Sequence, residues 1–480
     1  MSEPVMSEPG KGALCHDLSA WNSGPVVHEE GSYDPAVARH CERIVHAPIA
    51  DGPAILEVLR PLHEERPFDR VLTTTEPAVE STGYVVDALG LTGVTEATAR
   101  ALKDKALTRE LLAKYDLSPV RHQVVHSAEE AAEFQRSVGG RIVLKPADGV
   151  AGLHIHPAAN ADEAARAWRD LAAEGFDAPI AEEYLEGPVV SVDSFSFDGR
   201  HVPIGYSEYR MNERFVEWEV STLCRAAAPH LAELHALTVQ LLDAVGLTEG
   251  PSHSEFVLTP QGPRVLESHA RPAGSGAPEL VRRAFGVDLN RWFLTVPLGI
   301  DELPAASPEP VGGAAVRFFT PQPGQVRAVE VATEVGAEVR RVPRGETPLV
   351  FLPYLDEFRQ LPAAAVIAKS PGDTVPELLT VADCVSGYVI ASGVDRETAV
   401  TRCEEIDKNI RFLTDRRTDR PTPSKEKRVG NQRAHPERCR APGDRPQSRL
   451  AGLSLRRPAG PRRAAPHRVR HGRRRTTARP

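Results

Sequence analysis

The chain predicts an α/β protein built of several lobes and followed by an unpatterned basic extension. Three observations predict this class. Short apolar runs of the buried-strand kind alternate with segments of helical period. Helix-start residues recur just ahead of those periodic segments. A turn-centred stretch at 253–271 reads as a β hairpin.

Taken in order, residues 1–30 are poorly patterned apart from a strand-like GPVVHEE, and a helix is expected from Asp34 to Arg43. RIVHA and VLTTT read as buried parallel strands. The segment between them is helical by period, with Ile55, Leu56, Leu59 and Leu62 on one side. With a further helix at about Val79–Leu89, this makes a small βαβ layer. Thr95 and Asp104 have the side chains of N-caps, the second for a helix at about Lys105–Tyr115. A strand at Gln123–His126 leads to the capping box Ser127-Ala-Glu-Glu130 and a helix over 128–138. Strands follow at Arg141–Lys145, Ile180–Leu185 and Val189–Phe197, with an Asn160-capped helix ending near Glu174. Asp198-Gly199 turns the chain into a strand at Val202–Arg210. Helices are expected at His230–Val245 and Pro278–Phe285. A last unit at 312–413 has strand-like runs (AAVRFF, AVIA, SGYVIASG) and a final helix near Glu397–Ile410.

Composition narrows the class. The 480 residues suffice for two or three domains with real cores, and no apolar run is long enough to span a bilayer. The N-terminal MSEPVMSEPGKG lacks the basic and apolar regions of a secretory signal. Cys15, Cys41, Cys224, Cys384, Cys403 and Cys439 show no CxxC spacing, which argues against a zinc ribbon or disulfide framework and for the cytoplasm. Residues 415–480 hold 21 Lys and Arg against 5 Asp and Glu, so under an overall −8 the rest of the chain carries −24. The tail has few apolar residues and no period, and is expected to be disordered. It has no interleaved aromatics, which argues against a nucleic-acid partner.

The hairpin HSEFVLTPQGPRVLESHAR carries the sharpest chemical expectation. A three-residue loop at Pro260–Gly262 puts Val257 opposite Val265, Glu255 opposite Glu267 and His253 opposite His269. Opposed carboxylates repel, and a divalent cation turns that repulsion into a ligand pair. Two other readings stand beside it: both Glu side chains facing water, or a two-residue loop that puts them on opposite faces. Neither GxxxxGK[ST] nor GxGxxG occurs. Lys145 instead ends an apolar strand before the small-residue loop PADGVAG, one way to place a cation and backbone N–H groups around phosphate. Arg210 and Arg317 fit either a substrate carboxylate or an ion pair.

In order the chain reads DKALTRELLAKYDL, VLKPADGVAGLHI, AEEYLEGPVVSVD, GPSHSEF and RVLESHARPAG. This set resembles the ATP-grasp superfamily, and within it the carboxylate–amine ligases of the L-amino-acid ligase (dipeptide synthetase) type. The resemblance spans about Tyr33–Leu413. It implies an ATP-grasp fold with a βαβ pre-ATP-grasp domain at 31–117, an ATP-grasp domain at 118–300 and a C-terminal ligase subdomain at 301–413, flanked by the segments 1–30 and 414–480. Lys105 and Lys145 match the lysines that hold ATP phosphates, and Gly149 to Gly152 the flap over them. Glu182, Glu183, Tyr184 and Leu185 match the hinge that reads adenine. Glu255 and Glu267 match the ligands of Mg²⁺ or Mn²⁺, with two ions expected. Arg271 matches the arginine facing the transferred phosphoryl group.

The chain departs from that pattern in places. The family's Asn metal ligand is replaced by His269 or Ala270, so His269 is the candidate third ligand. Val150, Ala151, Leu153 and His154 make the flap less Gly- and Ser-rich, and Val189 stands where an acid near the ribose is usual. The resemblance implies an ATP-dependent enzyme that activates a carboxylate, expected to be an amino acid, as an acyl phosphate and joins it to an amine. Its partners are those two small molecules, with a homodimer as the expected assembly. The departures leave open an ATP-binding homologue with weakened turnover, and a ligase or carboxylase using another acceptor.

Overall fold

The computed structural model describes residues 5–7, 25–29, 42–149, 152–343 and 357–415. These lie in one compact unit, Met1–Arg420. The tail beyond Asp415, most of the expected Asp34–Arg43 helix, and Val150 and Ala151 of the flap fall outside the described residues.

The first layer is a parallel sheet in the order β3-β2-β1-β4. Its strands are β1 (Val5–Ser7), β2 (Pro25–His28), β3 (Arg43–His46) and β4 (Val71–Thr73). β1 pairs on both sides, so the segment that looked unpatterned supplies an inner strand. Three residues are too short for a periodic signal. Helix α1 (Gly52–Glu65), capped by Asp51, buries Ile55 and Leu59 against this sheet, and α2 (Val79–Leu89) buries Val85 and Val86 beside them. Two more capped helices follow, α3 (Glu96–Lys103) behind Thr95 and α4 (Lys105–Lys114) behind Asp104.

The next lobe is a four-stranded sheet in the order β5-β8-β6-β7. It contains β5 (His122–Val124), α5 (Ala128–Val138), β6 (Ile142–Lys145), β7 (His156–Ala158), α6 (Ala161–Ala173) and β8 (Ile180–Glu183). Ser127 and Asn160 cap its two helices by accepting from the Glu130 and Glu163 N–H groups. Both helices pack on one face, around Phe134, Ile142, Leu144 and Leu171.

A nine-stranded sheet, β13-β12-β9-β10-β11-β14-β19-β17-β16, forms the body. Its first part is β9 (Val189–Phe197), β10 (Arg200–Met211), β11 (Glu217–Thr222), α7 (Leu231–Val245), β12 (Gly250–Thr259) and β13 (Gly262–His269), followed by α8 (Ala277–Phe285) and α9 (Leu289–Thr295). Then come β14 (Gly313–Phe318), β15 (Gly324–Val331), β16 (Glu338–Arg341), β17 (Ala363–Ile367), β18 (Thr374–Val375), β19 (Gly387–Gly393), α10 (Arg396–Lys408) and β20 (Ile410–Asp415). β18, β15 and β20 make a small separate sheet. β20 carries regular structure to Asp415, one residue past the point where the tail was expected to begin. On one face of the body α7 buries Leu234, Leu241 and Leu242 against Val190, Val192, Phe256 and Val265. On the other, α8 and α9 cover Phe195, Ile204 and Val220. Burying that much aliphatic and aromatic surface is the main force joining the sheet to its helices. No described helix is long and apolar enough to cross a membrane.

Candidate functional site

The hairpin brings Glu255 opposite Glu267, but not by the expected loop. Thr259 pairs with Gly262, so the turn has two residues, and Leu258 pairs with Pro263 and Phe256 with Val265. Left alone, that register would set Glu255 opposite Leu266 and turn the two carboxylates to opposite faces. A β-bulge intervenes between Phe256 and Glu255. Leu266 becomes the extra residue, and beyond it Glu255 pairs with Glu267, Ser254 with Ser268 and His253 with His269. The two imidazoles stack with centroids 6.4 Å apart.

Each carboxylate has a cationic neighbour. Lys105 Nζ lies 3.2 Å from Glu267 Oε2 and donates to Gly149 O at 2.6 Å. The Lys105 N–H donates to Ala147 O, so the first residue of α4 is tied at both ends to the loop after β6. Burial opposes ionisation of Glu267, yet Lys105 and His269 hold its carboxyl well below the usual range. Glu255 Oε1 lies 3.3 Å from His253 Nε2, whose Nδ1 sits 2.9 Å from Asp193 Oδ1. Burial disfavours a charged His253, but Asp193 and Glu255 outweigh it and raise the ring to about 10.

Lys145, at the end of β6, is buried against Glu182 of β8, with Nζ 2.7 Å from Oε2. Arg109 of α4 takes the other oxygen at 2.6 Å. Burial resists the Glu182 charge, but Arg109 and Lys145 hold its carboxyl at about 2. Burial, with Arg109 and Lys105 nearby, pushes Lys145 below the ordinary lysine range despite Glu182. In the hinge, the Glu183 N–H donates to Arg121 O and the Tyr184 N–H to Arg141 O, while the Arg141 guanidinium lies 4.1 Å over the Tyr184 ring. Beyond Leu185 the strap presses on β12. A Cβ on Gly187, at φ +151°, would sit 2.1 Å from Leu258 O. Gly152, closing the flap, has φ +68°, a conformation that favours glycine.

Arg271 Nε lies 2.5 Å from Glu76 Oε2, and the same oxygen is 3.1 Å from His269 Nδ1. Glu76 follows β4, so the first layer reaches into the site. Burial opposes its charge, but His269 and Arg271 bring its carboxyl to about 2.

A model of the ATP-grasp N-terminal domain matches residues 25–93. Over 288 residues the chain is 23% identical to the L-arginine-specific L-amino acid ligase of Bacillus subtilis, covering 58% of this chain and 69% of that one. Over 261 residues it is 26% identical to dapdiamide A synthase of Enterobacter agglomerans, covering 52% and 60%. In three dimensions it superposes on an L-amino acid ligase from Bacillus licheniformis with a TM-score of 0.69 at 18% identity, over 86% of this chain and 99% of that one. The chain carries an ATP-grasp N-terminal domain and shares the fold of that ligase. The relatives also include carnosine synthase 1 of Gallus gallus, 26% identical over 289 residues, a stretch that is 53% of this chain and 30% of that one.

The surroundings of His269 are acidic on both sides. Among the described residues no group of three or more His, Cys, Asp and Glu side chains is arranged to hold a metal ion. His269 does not complete such a group. Its Nε2 lies 3.3 Å from Glu267 and its Nδ1 faces Glu76; although burial opposes its charge, the two carboxylates raise its pKa. Arg210 and Arg317 are ion-pair residues. Arg317 bonds Glu219 at 2.5 Å and Asp407 at 2.8 Å, and Arg210 lies 3.3 Å from Glu219 and 3.1 Å from Glu404.

Sequence reasoning missed Glu76, Arg109, Asp193, Tyr209 and Glu217. Asp193 shares a face with Glu255 through β9, and Tyr209 OH lies 3.3 Å from His253 Nε2. Glu217 reaches that face through a second bulge. Met211 pairs with Glu217 and Arg210 with Glu219, leaving Trp218 as the extra residue. Trp218 then lies under Arg317, while Glu217 accepts from Ser275 Oγ. Burial raises the Glu217 pKa and the charge of Glu255 adds to it.

Proposed function

We propose that the chain is an ATP-dependent carboxylate–amine ligase that makes an amide bond between two small molecules, at least one an amino acid. The convergence of Lys105, Glu267 and Glu255 at one point carries this reading. Two hard carboxylate oxygens side by side suit Mg²⁺, which binds through one or two carboxylates and completes its shell with phosphate and water. That matches a site with an acidic pair rather than a full cage. Glu255 and Glu267 would hold the ions, two in this reading, and the ions would supply charge neutralisation on the triphosphate. Lys105 and Lys145 are desolvated cations already paired with carboxylates, placed to exchange those partners for phosphate oxygens. Gly149 to Gly152 would cover the phosphates, and Glu182 to Leu185 would face the adenine, with the Glu182 carboxylate held by Arg109.

In this mechanism a substrate carboxylate oxygen attacks the γ-phosphorus and ADP departs. Arg271, oriented by Glu76, offsets charge on the migrating phosphoryl group. The acyl phosphate then meets the amine. The C–N bond forms, phosphate leaves with the C–O electron pair, and the nitrogen gives up a proton. Glu217, Asp193 and Tyr209 line the wall beyond Glu255 and offer hydrogen-bonding oxygens to the incoming amine. The cytoplasm and a homodimer are parts of the same reading. The free, buried Cys224, Cys384 and Cys403 are consistent with a reducing compartment.

The experiment is phosphate release from ATP and Mg²⁺ across pairs of amino acids, with products read by mass spectrometry. Phosphate and a dipeptide mass appearing only with a pair support the ligase. ATP binding without turnover for any pair or single acid defeats it.

A further inference from the structure

The bulge that sets Glu255 against Glu267 is held from outside the sheet. Ladder bonds are interrupted at a bulge, and its backbone groups need other partners. Three such bonds come from α4 and the turn that follows it. Arg109 Nη1 donates to Val265 O at 2.7 Å, and Nη2 reaches Leu266 O at 3.4 Å. The Val265 N–H donates to Ser118 Oγ at 2.7 Å. Arg109 is 2% exposed and Ser118 7%, so neither bond competes with bulk water. Ser118 also sits at φ +44°, a conformation that costs a serine on the order of 1 kcal/mol or more. Its hydroxyl bond to the Val265 N–H offsets that cost.

We infer that Arg109 and Ser118 are positioning residues that clamp the Leu266 bulge and so set the spacing of the Glu255–Glu267 pair. The inference rests on reading that pair as the metal ligands. Arg109 adds a link, because its Nε holds Glu182, the carboxylate that also holds Lys145. One guanidinium thus ties the phosphate lysine to the acidic hairpin. Lysine cannot replace it, since a single ammonium lacks the planar fork that reaches three oxygens.

Ser118→Gly separates positioning from folding. Glycine removes the strain and the hydroxyl together, so the thermal midpoint should stay at or above that of the unaltered chain. Hydrogen exchange at the Val265 amide should rise about tenfold or more. The Mg²⁺ concentration giving half-maximal phosphate release should rise about tenfold, with KM for ATP at saturating Mg²⁺ changed less than about twofold. Arg109→Lys should raise the Mg²⁺ requirement and KM for ATP together. A Ser118→Gly chain with unchanged Val265 exchange, or with unchanged Mg²⁺ dependence in an active enzyme, overturns the clamp. Absence of ATP-dependent phosphate release from the unaltered chain would defeat the ligase reading instead, and the exchange measurement would still decide the clamp.

Discussion

The two sheets that face each other across the candidate site are built differently. The small sheet, β5-β8-β6-β7, pairs without a register shift among its described residues. The nine-stranded sheet shifts register between Pro203 and Gly205, between Arg210 and Met211, and between Glu255 and Phe256. The small sheet delivers one lysine at a strand end, and an unshifted register sets that position, with Glu182 of the adjacent strand as its partner. The large sheet must gather Glu255, Glu267, Asp193 and Glu217 from four strands onto one face. An unbroken pleat of period two would send Glu255 and Glu267 to opposite faces, and likewise Glu217 and the Glu255 side. Two bulges resolve this, and each stands beside a carboxylate it redirects.

Four measurements sharpen or break that contrast. The largest effect is expected on the bulged side. Glu267→Gln should lower phosphate release at least about 10²-fold while the chain remains folded, and near-normal turnover would remove the acidic pair from the chemistry. Next is the junction of the two lobes. Gly187→Ala drives a Cβ into Leu258 O and should cost about 2 kcal/mol or more in denaturant unfolding; a neutral result would mean that the strap can move away from β12. On the regular side, Lys145→Met should raise KM for ATP about tenfold or more and leave the Mg²⁺ requirement little changed, whereas equal shifts in both would show that the two sheets are not separable. The smallest effect is on acid stability. Glu182 titrates near 2 in the folded chain against an ordinary 4.5. Its contribution is therefore complete above about pH 4.5 and is lost as pH falls through about 2. Glu182→Gln should flatten the stability profile in that window, and an unaltered slope would place the acid sensitivity elsewhere.

Much of the architecture was legible because its signals are local. Asp51, Thr95, Asp104, Ser127 and Asn160 cap helices over neighbouring residues, and a side chain three positions away is read directly. The turn Asp198-Gly199 and the β9–β10 hairpin are local in the same way. The pairing of Glu255 with Glu267 was anticipated with the loop length wrong, since the turn has two residues and the bulge supplies the missing one. Nothing in PQGPRVLESH marks Leu266 as the extra residue. The bonds that stabilise it come from Arg109 and Ser118, some 150 positions earlier. Strand β1 went unread because three residues have no period, and Glu76 because an acid at the start of a helix has an ordinary explanation.

By itself the sequence determined the succession of strands and helices, the fold family and the residue types available for phosphate and metal. Those depend on contacts between near neighbours and on motif order. Tertiary structure alone decided which carboxylates share a face, that His269 lies between Glu76 and Glu267, and that Glu76, Arg109 and Asp193 stand beside the candidate site. The reason is that face and charge state depend on register and desolvation, and both are set by groups far apart in the chain.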